Sequence, residues 1–289
     1  MDEHTPRPGS STAASPVPGR LAPTSKLAGT GATGGMTGIA LDPRSAELQQ
    51  VPKDDKRVQA QSVSYDSPHG TGPVRGYLAR PSSAQGPLPA LLVVHEDRGL
   101  DPHIEDVARR LAVAGYMAFA PDALTSLGGY PGSEDKAREL FAKLNQGKTR
   151  EDFMAAAAFL APRSDCDGHV GAVGFGYGGG VVNTLATRIP KLGAAVAFYG
   201  MAPSLAAVPH IKAPVQLHYA ETDKRVNAGV RAYEAALVAS HVPHEIHRYP
   251  GTQHGFSDET TPHFDKVAAA LAWSRTLEFL RKHLRGSRE

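Results

Sequence analysis

The chain has one cysteine, Cys166, in 289 residues, so no internal disulfide can form and a reducing compartment is expected. No apolar run approaches the ~18 residues that a membrane span needs, so no membrane partner is expected. Net charge is also scarce. Thirty-one basic residues against 29 acidic ones leave +2, too balanced for a surface built to hold nucleic acid or anionic lipid. There is no internal repeat. The first 55 residues have few large apolar side chains and are rich in Pro, Gly, Ser, Thr and Ala. Such a stretch buries too little surface to offset its ordering entropy, and residues 1–55 are expected to be a disordered tail. It has neither the charged start and apolar block of a signal peptide nor an Arg-Arg pair. The expected compartment is therefore the cytoplasm, the alternative being export with a non-standard N-terminal tail.

The chain as a whole is 41% hydrophobic, and from about residue 56 to the end a regular pattern predicts one folded domain. "VQAQSVSY" and "VRGYLARP" flank the turn residues "DSPHGTGP" and predict an antiparallel hairpin at a sheet edge. "PALLVVHE", "YMAFAP", "HVGAVGF", "LGAAVAFYG", "PVQLHYAE" and "HEIHRYP" read as further strands. The helical stretches "HIEDVARRLAVAG", "REDFMAAAAFLAP", "GGGVVNTLATRIP" and "NAGVRAYEAALVASH" lie between them. A long helix, "PHFDKVAAALAWSRTLEFLRKHL", closes the chain. Continuous apolar strands alternating with helices predict an α/β domain with a mostly parallel central sheet and helices on both faces.

An open α/β sheet places its ligand site beyond the carboxyl ends of its strands. Three loops there stand out: "GFGYGG" at 174–179, "AETDKRV" around Asp223 and "GTQHGF" around His254. Corner, acid, histidine is the chain order of the α/β-hydrolase triad, in which the corner carries the nucleophile. Here the corner position is Gly176. A glycine-rich strand-to-helix turn also suits phosphate binding or plain close packing, and the corner alone does not separate these readings.

The chain resembles the dienelactone hydrolase family, in particular its carboxymethylenebutenolidase-like branch. The family's elbow, Gly-x-Cys-x-Gly-Gly, aligns with Gly174-Phe175-Gly176-Tyr177-Gly178-Gly179. Its acid aligns with Asp223, its histidine with His254 in "YPGTQHGF", and its glutamate after the first parallel strand with Glu96 in "VVHEDRGL". "APDAL", "GYPG" and "AFYG" fit as well, and the likeness covers roughly residues 56–284.

This resemblance implies an α/β-hydrolase fold and hydrolysis of a small carboxylic ester or lactone through a Cys-His-Asp type triad. Gly176 would stand at the nucleophile position, with His254 as base and Asp223 orienting it. The backbone N–H groups of Tyr177 and Asp97 would hold the oxyanion. Glu96, His95, Arg98 and Ser126 are the expected pocket residues, with His95 reading equally as a buried histidine bonded to backbone and the Tyr177 side chain turned away. The arginines that clamp the substrate carboxylate in the family fall at Ser126 and Asp258, which implies a neutral substrate; Arg98 is a possible replacement cation or a member of a surface ion pair.

Three outcomes stay open for Gly176. It is a single replacement in an otherwise complete hydrolase, or His254 activates water directly, or the pocket is a non-catalytic binder of small acyl ligands. No cofactor is expected. No metal is expected either: His241, His244 and His247 are three apart, but His244 and His247 point to opposite faces of a strand. Cys166 precedes its strand at the amino end, away from the corner, and is expected to be a packing or surface thiol.

Overall fold

The computed structural model describes residues 49–285. Most of the expected tail lies outside the described residues. The described part of it, residues 49–55, includes Val51, which is packed against the domain: its N–H donates to Asp106 Oδ1 at 2.6 Å, and its carbonyl accepts from Arg109 Nε at 2.6 Å.

Eight strands form one sheet in the order β1-β2-β4-β3-β5-β6-β7-β8. The strands are β1 (Val58–Ser67), β2 (Gly72–Pro81), β3 (Leu88–Val94), β4 (Met117–Pro121), β5 (Cys166–Phe175), β6 (Ala194–Phe198), β7 (Val215–Ala220) and β8 (His244–Tyr249). β1 and β2 form the antiparallel edge hairpin, β2 runs antiparallel to β4, and the remaining pairings are parallel. β4, β6 and β7 are buried along their whole length, as parallel strands covered on both faces must be.

The helices are α1 (Pro102–Val113), α2 (Glu134–Phe141), α3 (Gln146–Leu160), α4 (Tyr177–Arg188), α5 (Lys224–Asn227), α6 (Val230–Ala239) and α7 (Lys266–Leu284). α1 and α7 cover one face through Ile104, Val107, Leu111, Trp273, Phe279 and Leu280. α3, α4 and α6 cover the other through Phe153, Leu160, Val182, Leu185, Tyr233 and Leu237. The expected final helix begins at Lys266 rather than at Pro262, because the Asp265 carboxylate caps it by accepting from the N–H groups of Val267 and Ala268. α2 and α5, both short, were not visible in the apolar periodicity.

β3 lies between β4 and β5, so the chain moves outward in one direction after β3 and in the other after β5. The crevice between their carboxyl ends is the switch point of the sheet, where α/β folds bind ligands. The loop after β3 and the bend after β5 meet there. They can approach so closely because Gly178 has no side chain: a Cβ on it would overlap the carbonyl oxygens of Val94 and His95.

Candidate active site

β5 turns into α4 at Gly176, whose backbone sits at φ +51° and ψ −112°. A residue with a Cβ is strained there, and a glycine is not. Gly176 is fixed from both sides. Its N–H donates to Phe198 O at 3.0 Å, and its carbonyl accepts from Gly180 N–H at 3.2 Å. Tyr177 opens α4, so its N–H has no partner within the helix and points out of the first turn.

Two further loops converge on this bend. Asp223 caps α5, its Oδ1 accepting from Val226 N–H at 3.2 Å, and its Oδ2 lies 2.5 Å from His254 Nδ1. A ring nitrogen this close to a carboxylate carries the proton, which leaves the Nε2 lone pair free. That atom faces the bend: a Cβ added to Gly176 would lie 3.3 Å from His254 Nε2 and 3.2 Å from Glu96 Oε2. The structure thus brings Gly176, Asp223, His254 and Glu96 together.

Glu96 is held by the Tyr199 hydroxyl, which donates to its Oε1 at 3.2 Å. Burial pushes the Glu96 carboxyl above its ordinary range, opposed by the Arg98 guanidinium nearby. Nothing in the sequence singles out Tyr199, which directly follows β6, the strand beside β5. Its backbone is at φ +36°, its ring centroid lies 4.8 Å from that of His254, and its hydroxyl shares a 2.9 Å bond with Ser257 Oγ. Burial pushes the phenol well up, so it stays neutral and available as a donor.

Above the bend opens a cavity of about 630 Å³, whose wall includes Glu96, Asp97, Arg98, Gly176, Tyr177 and His254. Asp97 exposes its side chain, 55% accessible, to solvent. The Tyr177 side chain packs against the core and edge-on against Phe141 at 4.7 Å between ring centroids, and burial pushes its phenol up to about 12.

Of the two readings of His95, the structure has the buried histidine bonded to backbone, fully buried behind the cavity. Its Nε2 accepts from Ala123 N–H at 3.1 Å, so the proton is on Nδ1, which donates to Glu96 O at 2.6 Å. Both ring nitrogens are thereby used inside the protein, and burial pushes its pKa down in favour of the neutral ring. Ser126 is exposed on a short 3-10 turn and is not part of the cavity wall.

Arg98 is neither a surface ion-pair residue nor a free cation. Its side chain is 2% exposed and pairs with Asp258, with Asp101 at 3.5 Å and with Glu134 at 3.2 Å. Burial alone would lower its pKa, but Asp258 outweighs burial and raises it. Besides Arg98, the cavity wall carries Arg138, Arg150 and Arg225; Arg225 belongs to the "AETDKRV" loop, whereas Arg138 and Arg150 lie on α2 and α3, which the sequence does not connect with the site. The argument for a neutral substrate, drawn from Ser126 and Asp258, loses its basis.

Beneath Arg98, His103 Nδ1 lies 3.5 Å from Asp258 Oδ1 and 3.3 Å from Glu259 Oε2. These three residues have the makings of a metal-ligand set, but their carboxylates are already committed. Asp258 holds Arg98 and both donors of Thr260, and Glu259 Oε1 holds Arg110 Nη2 at 2.7 Å. The donor set matches an ion-pair network better than a cation site. Burial opposes charge on His103, yet the two carboxylates outweigh it and raise its pKa. Cys166 starts β5 at the end opposite the bend, and burial pushes its thiol up, consistent with a packing role.

The dienelactone hydrolase family model matches residues 74–284. A Saccharolobus solfataricus protein that bears the name carboxymethylenebutenolidase is 30% identical over 257 residues, covering 76% of this chain and 97% of its own length. The Escherichia coli hydrolase fragment YghX is 54% identical over 109 residues, 36% of this chain and 93% of the fragment. A Klebsiella pneumoniae structure described as a dienelactone hydrolase superposes with TM-score 0.68 at 29% identity, covering 78% of this chain and 99% of that one. Among the described residues no helix is long and apolar enough to cross a membrane. The family match spans most of the chain, and the sheet order and three-loop convergence fit it: the chain belongs to the dienelactone hydrolase family, a family of hydrolases with the α/β-hydrolase fold.

Proposed function

We propose that this site is built for hydrolysis of small carboxylic esters or lactones, with residue 176 as the nucleophile position. The observation that carries the proposal is the alignment of Asp223, His254 and the bend: 2.5 Å from Asp223 Oδ2 to His254 Nδ1, then 3.3 Å from His254 Nε2 to a Cβ at residue 176. With a thiol at 176, His254 Nε2 takes its proton and Asp223 fixes the ring in the tautomer this requires. The thiolate attacks the acyl carbon. The developing oxyanion is met by the N–H groups of Tyr177 and Asp97, and His254 returns the proton to the leaving alcohol. Water then enters by the reverse route and frees the acid.

On this reading Gly176 lacks the attacking atom, while the contact between Asp223 and His254 beside it is kept. The geometry also favours slow hydrolysis by the chain as it stands. A water oxygen at the point a Cβ would occupy is within reach of two bases, Glu96 Oε2 at 3.2 Å and His254 Nε2 at 3.3 Å. Binding of acyl compounds without turnover is the competing outcome. The test is hydrolysis of an activated ester by the chain and by Gly176→Cys. A gain of several orders of magnitude in the variant supports the hydrolase reading, and a folded but inert variant refutes it.

A further inference from the structure

The residues around the bend come from two irregular loops far apart in the chain. The loop after β3 carries Glu96 and the Asp97 N–H, and the loop after β8 carries His254. His254 lies between two anchors on its own loop. On the N-terminal side, Thr252 O accepts from Thr222 N–H at 3.1 Å and from Thr222 Oγ1 at 2.8 Å, which ties His254 to the loop of Asp223. On the C-terminal side, Asp258 pairs with Arg98, and this contact joins positions 160 residues apart, with the arginine 2% exposed and the acid fully buried.

Each partner of that pair is also fixed by its own surroundings. Asp258 Oδ1 accepts from Thr260 N–H at 2.8 Å and Thr260 Oγ1 at 2.7 Å. Arg98 Nε lies 3.5 Å from Asp101, the residue that caps α1, and Nη1 lies 3.2 Å from Glu134 at the start of α2. Below them, His103 and Arg110 of α1 hold Asp258 and Glu259. The first anchor sets the distance from His254 to Asp223. The second relates His254 to the Glu96–Asp97 loop by a direct charged pair, beside the Tyr199 hydroxyl, which bridges Glu96 Oε1 and Ser257 Oγ.

We infer that Arg98 and Asp258 are positioning residues of this site, a buried clamp that holds the His254 loop against the Glu96–Asp97 loop so that His254 Nε2 and the Asp97 N–H face residue 176 together. The inference rests on the proposed function for what the site does. Neither residue touches the reacting atoms. A displacement of about 1 Å between base and reacting centre costs on the order of 100-fold in rate, so a clamp of this kind is read in kcat rather than in binding.

The test uses the full chain carrying Arg98→Met with Asp258→Asn, which removes both charges of the pair, while Asp101 keeps its bond from the Ile104 N–H. In the Gly176 chain, NMR is expected to retain the low-field His254 Nδ1–H signal of the Asp223 bond. The nuclear Overhauser contact between the His254 ring and the Gly176 α-protons is expected to disappear. In the Gly176→Cys background, kcat on an activated ester is expected to fall about 30- to 100-fold, with KM changed less than about threefold. Arg98→Lys keeps a cation within reach of Asp258 and is expected to retain both the contact and most of kcat. If the double variant does not fold, Asp258→Ala is measured instead, since Arg98 keeps Asp101 and Glu134. A folded variant that keeps the His254–Gly176 contact overturns the inference. An inert Gly176→Cys chain overturns the proposed function alone, because the NMR arm reads the clamp without turnover.

Discussion

Restoring a thiol at residue 176 gives two coupled effects whose sizes follow from the geometry. The first is a stability cost. At φ +51° and ψ −112° a side chain meets backbone strain of about 1–3 kcal/mol. Its Cβ also crowds Glu96 and His254 at 3.2–3.3 Å, but both contacts are with side-chain ends that can shift by a few tenths of an ångström. For a domain of this size each kcal/mol moves Tm by about 2–4 °C, so Gly176→Cys is expected to melt about 2–12 °C lower. The second effect is a rate gain. Losing the nucleophile of a hydrolase triad costs on the order of 10⁶ in kcat, with a residual 10³–10⁴ over water from the oxyanion site and binding. Allowing for imperfect fit at the crowded Cβ, the variant is expected to gain on the order of 10³ or more on p-nitrophenyl acetate. Thermal melting by circular dichroism and initial rates on one preparation measure both. A variant that folds, melts lower as expected and gains less than about tenfold refutes the reasoning, since the thiol would then be present without a working base or oxyanion site.

Three further outcomes follow from the same geometry. If His254 and Glu96 activate water in the Gly176 chain, His254→Ala abolishes its residual ester hydrolysis; unchanged turnover removes the activated-water route. The Glu259 carboxyl would be raised by burial, but His103 and Arg110 outweigh this and hold it at about 2, below its ordinary 4.5. Its contribution, roughly 3 kcal/mol, is therefore present above pH ~4.5 and lost as pH falls toward ~2, and Glu259→Gln is expected to flatten that limb in acid-denaturation curves. Arg150 and Arg225 line the cavity and form no ion pair among the described residues. An activated ester carrying a carboxylate is expected to show a KM about fivefold below that of a neutral one at low salt, the difference shrinking as salt rises. Equal values at all ionic strengths would rule these arginines out as substrate contacts.

Much of the fold was legible because its signals are local. Continuous apolar strands such as "PALLVVHE", helix stops such as Pro190, and the glycine-rich corner report burial and backbone geometry residue by residue. The alignment of Asp223 and His254 with the corner was legible from their order at strand ends. What escaped depends on side chains meeting across the fold. His95 sits beside Glu96 in sequence, but its ring turns inward to Ala123 N–H, and adjacency does not reveal that choice. Arg98 reads as a surface cation until Asp258, 160 residues away, is seen to bury it. Tyr199 reads as the end of a strand, and only the neighbouring loops make it a partner of Glu96 and His254. α2 and α5, of 8 and 4 residues, are too short for a periodic signal to separate them from loop.

The energetic balance around residue 176 bears on the choice between an acyl-hydrolase site and a plain packing corner. Glycine relieves backbone strain at the bend, yet the costs that surround it persist. Glu96 is buried with a raised pKa, Tyr199 holds a positive φ that a tyrosine rarely adopts, and Arg98 and Asp258 are charged groups, with the ionisable His103 beside them, withdrawn from water. An apolar corner of the same shape would avoid all of these, since breaking even with buried charge needs nearly complete pairing. Local violations concentrated at one switch point of the sheet are the pattern expected of a site whose geometry serves chemistry. They are also separable from the nucleophile. If glycine at 176 had accompanied a drift toward simple packing, the His254–Asp223 contact at 2.5 Å would be the first to loosen, because it contributes nothing to the core.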